Sequence, residues 1–217
     1  MTTVASPRID PVTLPSLQQA DAYDLDEGPR WEDLDFSGLS FDGRDLTDTA
    51  MTGCLVSGVP FEDVAARGVA ISDSRVEALS VTTWRGASST WRRSEVARAR
   101  IGAAEWYDSE WDQCMLTGCK VGYLNLRAAT VTDVVFEDCV FDDLDLMSAT
   151  LTRVEFRNCR AGMLTVSGVR CTDVNLTGLD LGGVDDPAGL SGALVSQEQV
   201  FELAPVFASR AGLLVAD

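Results

Sequence analysis

The sequence predicts an all-β solenoid, a single rod wound from short strands with four of them to a coil. Three observations predict it. Apolar residues, most of them large, recur at every fifth position without an insertion, a second and smaller apolar series runs two residues earlier, and like residues align at an offset of twenty.

The spacing is plainest in "VTDVVFEDCVFDDLDLMSATLTRVEFRNC", where Val131, Phe136, Phe141, Leu146, Leu151 and Phe156 stand five apart. An amphipathic helix repeats at about 3.6 residues and a half-buried strand at about 2, so neither explains it. The phase runs from Trp31, Phe36, Phe41 and Leu46 to Leu176 and Leu181, and only Gly86 lacks an apolar side chain. The second series includes Cys54, Val59, Val64, Val69, Leu79, Cys114, Cys119, Leu124, Val134, Cys139, Leu144 and Cys159, with Arg44 and Trp84 as misfits. The remaining three positions are rich in Asp, Glu, Thr, Ser, Arg and Gly. Each pentad thus points two residues inward and three outward, then turns. Repetition winds the chain into coils that share one narrow core.

The coil length is also written in the sequence. At an offset of twenty, Cys119, Cys139 and Cys159 align, as do Leu124, Leu144 and Leu164, Phe136 and Phe156, and Trp91 and Trp111. Four pentads per coil give a square cross-section and nearly eight coils, or roughly 35 Å of rod at a strand spacing of about 4.8 Å.

Three segments follow. Residues 1–30 carry Pro7, Pro11, Pro15 and Pro29 and no pentad phase; they are expected to form an arm over the first coil, because an open coil end is an unpaired edge. Residues 31–183 are the solenoid. Residues 184–217 begin as a loop, "VDDPAGLSG", and end in a short helix. Ser196 with Gln199 makes a capping box. Val200, Leu203, Ala204, Phe207 and Ala211 fall on one helical face, and Pro205, lacking a backbone donor, should kink or split the helix. Val200, Leu203 and Phe207 are candidate contacts, either to cap the rod or to pair with a second copy as a homodimer.

Composition narrows function. A net charge of −17 disfavours direct nucleic-acid or anionic-membrane binding and suits solubility or a basic protein partner. Histidine is absent, which removes the usual general base, the histidine-dependent nucleophile arrangements and the commonest transition-metal ligand. The chain therefore reads as non-catalytic, with no cofactor and no metal. No apolar run approaches the ~18 residues of a membrane span, and the N-terminal stretch lacks the pattern of a signal peptide, so a cytoplasmic location is expected. Five of the six cysteines take the small inward position and Cys171 the large one. They read as small buried hydrophobes, and Cys114-x4-Cys119 does not match zinc spacing.

The surface offers candidates. Glu137, Asp138, Asp142, Asp143 and Asp145 all fall at outward positions around one coil and read as solvated surface, because calcium binding or acid–base work needs converging carboxylates. Arg67, Arg75, Arg85, Arg92, Arg93, Arg98 and Arg100 make a locally positive waist that also holds Trp84, Trp91, Trp106 and Trp111. The last three are inward and large for so narrow a core, so widening or distortion is expected there. Met115 and Val135, outward and twenty apart, form a small apolar patch, with Val140 on the next face. The candidate interaction surface is Arg85, Arg92, Arg93, Arg98, Arg100, Met115, Val135, Glu137, Asp138, Asp142 and Asp143.

The units "LDFSG" (Leu34–Gly38), "LNLRA" (Leu124–Ala128), "LDLMS" (Leu144–Ser148) and "VNLTG" (Val174–Gly178) resemble the A(D/N)LXX motif of the pentapeptide-repeat family, over about residues 30 to 183. The ending "SQEQVFELAP" resembles the C-terminal segment of bacterial, particularly actinobacterial, members. The resemblance implies a right-handed quadrilateral β-helix. It also implies a rigid, non-catalytic protein-interaction scaffold of unknown partner. A more specific implication comes from the family's Qnr and mycobacterial fluoroquinolone-resistance members: an acidic rod that mimics DNA, binds DNA gyrase in its place and protects it from quinolones. The arginine waist would interrupt such a rod's negative stripe.

Overall fold

The computed structural model describes residues 3–25, 28–41, 43–58 and 60–215. It is a solenoid of parallel strands paired at a twenty-residue offset from Arg30 to Leu181: Trp91 stands over Ile71 and under Trp111, which in turn pairs with Val131. One ladder contains nine strands, from Arg30–Glu32 to Ala193–Leu194, so the rod has about nine turns. The flanks supply the turn beyond the repeat. Gln18–Gln19 pair with Leu34–Asp35 at one end and Ala193–Leu194 with Val174–Asn175 at the other.

The pentads build four faces, named here by their large inward residues: face one (Trp91, Trp111, Val131), face two (Val96, Leu116, Phe136), face three (Ile101, Val121, Phe141) and face four (Trp106, Leu126, Leu146). From Trp31 to Leu176 every large inward position is buried except Cys171, which is half-buried, as is Leu181. The smaller inward series is buried from Val64 to Leu164; Val59 lies outside the described residues.

Corners explain the outward residue types. On faces one, two and four the residue two after the large one adopts a positive φ, as in Asp108 (55°), Gln113 (54°) and Asp138 (53°). That left-handed geometry favours Gly, Asn and Asp, which accounts for the acid-rich turns. On face three, from Asp63 onward, the corresponding residues are not left-handed. The chain there stays extended in six-residue strands such as Lys120–Asn125. Across the corner between faces one and two it runs in eight-residue strands such as Thr130–Glu137.

Two expectations need correcting. The tryptophans do not break the register: Trp84 pairs with Ala104, and Trp91 with Trp111, at the standard offset. Small neighbours make the room. A Cβ on Gly86 would lie 2.7 Å from Cδ1 of Trp106, so the one pentad without an apolar side chain is the one whose space Trp106 fills. Trp84, a misfit by sequence, is buried and packs edge-on to Trp106 at 5.4 Å. Of the two outcomes expected at Pro205, the split does not occur: the C-terminal helix runs unbroken from Gln197 to Arg210. Only one backbone donor is lost there.

Candidate interaction surface

The arginines of the waist are positioned by the coil repeat. A residue and its neighbour twenty positions on lie one strand spacing apart, so opposite charges at that offset pair across coils. Arg75 Nε meets Glu95 Oε2 at 3.0 Å, and Arg93 binds Asp73 through two bonds of 2.6 Å. Arg98 reaches Glu77 at 2.8 Å and Arg85 reaches Asp63 at 3.4 Å. The Asp73 carboxylate holds the Arg93 guanidinium above its usual pKa. Of the five arginines proposed for the surface, Arg85, Arg93 and Arg98 are thus partnered. Arg92 and Arg100, both exposed, show no ion pair in the described structure. They sit on faces one and three, so the structure does not gather the five into one patch.

Among the carboxylates, Asp138, Asp142 and Asp143 are exposed and Glu137 is half-buried. Asp138 accepts a 2.6 Å bond from Asn158 Nδ2. Asp145 departs from the expected solvated surface. It is 4% exposed and accepts bonds from Arg127 Nε (2.6 Å), Tyr123 Oη (3.1 Å) and Met147 N (3.1 Å). Its position is the last residue of a face-three strand, where the chain turns inward.

Val135 is the clearest correction. Although it occupies an outward position, it is 2% exposed, and Met115 is half-buried. The N-terminal arm covers them. Instead of lying only over the first coil, residues 3–15 run lengthwise along face two. The main-chain N–H of Ala5 donates to Asp173 Oδ1 (3.0 Å) and that of Arg8 to Asp133 Oδ1 (2.9 Å), while Arg75 Nη2 donates to the Val12 carbonyl (3.4 Å). Val4, Pro7, Ile9, Val12, Leu14 and Leu17 are each half-buried between exposed neighbours. Their spacing of three and two residues by turns matches neither a strand nor a helix, so the arm's inward side was not marked in the sequence. Val140, on face three, remains 39% exposed.

Asp133 is a further residue that sequence reasoning missed. It is buried at a corner, gripped by Arg153 through two bonds of 2.6 Å and by the arm. Hydrogen bonding from Arg153 is the main reason its carboxyl is held below the ordinary range.

At the far end, the helix closes the last turn with its polar as well as its apolar residues. The capping box forms, with Gln199 N donating to Ser196 Oγ and Ser196 N to Gln199 Oε1. The same Gln199 donates through Nε2 to the carbonyls of Leu176 and Leu179, each at 2.7 Å, and so satisfies acceptors on the open coil. Leu203 is buried beside it, whereas Val200 (46%) and Phe207 (42%) are exposed along an apolar cleft of about 260 Å³ shared with Leu190 and Val195.

Burial pushes the Cys114 thiol up to about 12. In the stack of Cys119, Cys139 and Cys159, mutual hydrogen bonding raises the central Cys139 and lowers its two neighbours. Among the described residues no group of three or more His, Cys, Asp or Glu could hold a metal, and no helix is long and apolar enough to cross a membrane.

Comparison with known proteins bears on the repeat. The family model "Pentapeptide repeat region" matches residues 109–185. Solved structures similar to this chain include full-length QnrB1, a plasmid-mediated fluoroquinolone resistance protein, at 15% identity and a TM-score of 0.36, covering 85% of this chain and 90% of that one. A trypsin-treated QnrB1 variant gives 15% identity, a TM-score of 0.44 and coverage of 86% and 90%. HetL, a pentapeptide repeat protein involved in heterocyst differentiation regulation from the cyanobacterium Nostoc sp. strain PCC 7120, gives 11%, 0.24, and 77% and 90%. No curated protein sequence matches significantly.

Proposed function

We propose that this chain, whose residues 109–185 match the pentapeptide-repeat family model, works as a rigid, acidic, non-catalytic scaffold that binds a protein through its charged faces. One observation carries the reading. The cross-coil ion pairs of Arg75, Arg85, Arg93 and Arg98 neutralise the waist locally, so the surplus of a −17 chain is expressed as exposed carboxylates such as Asp108, Asp138, Asp142 and Asp143. Exposed carboxylates on a stiff rod attract a basic partner surface and raise its association rate.

The same observation favours a sharper reading, in which the rod mimics DNA and engages DNA gyrase. Partnered arginines interrupt a negative stripe less than free ones do. In this reading the exposed Val200 and Phe207 would join two rods into a homodimer, since Gln199 and Leu203 are already committed to the cap.

The test is capture of partners from a lysate of the source organism at low and moderate salt. Salt-sensitive enrichment of both gyrase subunits, followed by inhibition of supercoiling, would support the mimic. Enrichment of a different protein would retain the scaffold and discard gyrase. The variant Glu137→Gln, Asp138→Asn, Asp142→Asn and Asp143→Asn should keep the wild-type circular dichroism and lose the captured partner. Undiminished capture would remove these carboxylates from the surface.

A further inference from the structure

Three thiols stack in one column of the rod. Cys119, Cys139 and Cys159 hold the same small inward slot on successive coils, between Ala99 and Leu179. The register that pairs Val140 with Arg160 sets Cys139 against Cys159, so their Cα atoms lie about one strand spacing apart, roughly 4.8 Å. A disulfide needs a Cα separation of about 4.4–6.8 Å. Each sulfur also turns toward the coil before it, where the thiols of Cys119, Cys139 and Cys159 donate to the carbonyls of Val96, Leu116 and Phe136. In the same geometry Cys139 N donates to Cys159 Sγ at 3.4 Å.

All three are buried, but of the three it is Cys159 that lines a cleft of about 370 Å³ where the last coils meet the helix. Asn158, Thr177, Ser196 and Gln199 give that cleft polar walls, which suit a small polar solute. Asp180, Glu198 and Glu202 stand around it as well, so a neutral reagent is favoured over an anionic one. Hydrogen bonding with Cys139 lowers the Cys159 thiol; burial and the Asp138 charge oppose this without reversing it. The thiolate is the nucleophilic form.

We propose that Cys159 and Cys139 form a hydroperoxide-reactive dithiol, in which Cys159 meets the oxidant and Cys139 resolves it to a disulfide. The Cys159 thiolate attacks one oxygen of hydrogen peroxide. An S–O bond forms, the O–O bond breaks, and the departing hydroxide takes up the proton that the thiol released. Cys139 Sγ then attacks the sulfenic sulfur. The S–S bond forms as the S–O bond breaks, and hydroxide leaves with the Cys139 proton. Two thiols and one peroxide give one disulfide and two waters. Each coil of a solenoid contacts only its neighbours, so this bond joins the coils nearest the helix covalently and stops fraying from that end, whichever partner the rod binds.

The test exposes the reduced full-length chain to hydrogen peroxide, blocks it with N-ethylmaleimide and digests it with trypsin without reductant. Cleavage at Arg127, Arg153, Arg157 and Arg160 separates Ala128–Arg153, which carries Cys139, from Asn158–Arg160, which carries Cys159. The two peptides should emerge joined, and about tenfold or more faster than Cys114 is modified, because oxidation follows thiolate character and access. Cys139→Ser should leave Cys159 as a sulfenic acid that dimedone traps, and Cys159→Ser should protect Cys139. The wild-type peptide map reads the proposal even where a variant fails to fold. A join between Ile101–Lys120, which carries Cys119, and Ala128–Arg153 would overturn the assignment of Cys159. So would Cys159 ending as a sulfinic acid with Cys139 free. No reaction in the folded chain, with rapid linkage in urea, would show the column closed to oxidant and sink the proposal.

Discussion

The coils around the tryptophans and those around the cysteines share one register but fill it differently. In the waist, Trp91 stacks on Trp111 with centroids 4.8 Å apart and planes 14° apart, and Trp84 and Trp106 close the cluster. The small inward slots beside them hold Ser89, Ala104 and Ser109, and Gly86 leaves a large slot empty. Two coils on, Phe136 stacks on Phe156 at 4.7 Å and 10°, and Cys119, Cys139 and Cys159 fill the small slots. Volume is shared between the two inward positions of each layer, so a solenoid of fixed spacing accepts a larger residue wherever its neighbour shrinks. Interiors pack to crystal-like density, and the coil repeat leaves no other way to achieve it.

Polarity differs too. Trp91 Nε1 donates to Ser89 Oγ (3.0 Å) and Trp111 Nε1 to Ser109 Oγ (2.9 Å), whereas the buried Nε1 atoms of Trp84 and Trp106 have no hydrogen-bond partner. The waist thus carries two unpaired indole donors, and the coil of Cys119 one buried hydroxyl without a partner, Thr117 Oγ1.

The sharpest way to break this comparison is truncation in each region. Trp106→Ala and Phe156→Ala should each cost about 3–5 kcal/mol in urea denaturation, since both leave a core cavity. A loss under about 0.5 kcal/mol in either would mean that layer is not close-packed. Next, Gly86→Ala should destabilise by about 1–3 kcal/mol through overpacking against Trp106. A neutral result would show slack in the waist. Ser109→Ala should cost about 1 kcal/mol by stranding the Trp111 donor, with a matching change in Trp emission.

A pH series probes the corner that holds the arm. The folded pKa of Asp133 is depressed, so its contribution to stability is present above the unfolded value near 3.9. That contribution fades as pH falls through the lower folded value. Between pH 5 and 2.5 wild type should therefore lose more stability than Asp133→Asn, and parallel curves would deny the pairing with Arg153. The smallest effect is expected from Arg93→Ala. Its pair with Asp73 is about half exposed, and such pairs contribute roughly 0–1 kcal/mol.

Much of the fold was legible in the sequence because period and burial are coupled one residue at a time. Phe136 and Phe156 announce their stacking by their offset, and Ser196 and Gln199 announce their cap. Less of the interaction surface was legible. Val135 occupies an outward position yet is covered by an arm more than a hundred residues earlier in the chain, and Asp145 lies in an acidic run yet is buried by Arg127 and Tyr123. Neither partner is marked by local spacing.

By itself, then, the sequence determined the solenoid, its coil length and the inward identity of its core residues, because each depends on a repeat that every pentad restates. Only the tertiary structure decided which charges neutralise each other, where the arm lies and which side of the helix stays open. Those outcomes depend on contacts between residues brought together by stacking and by a single non-repeating segment, for which a repeat carries no information.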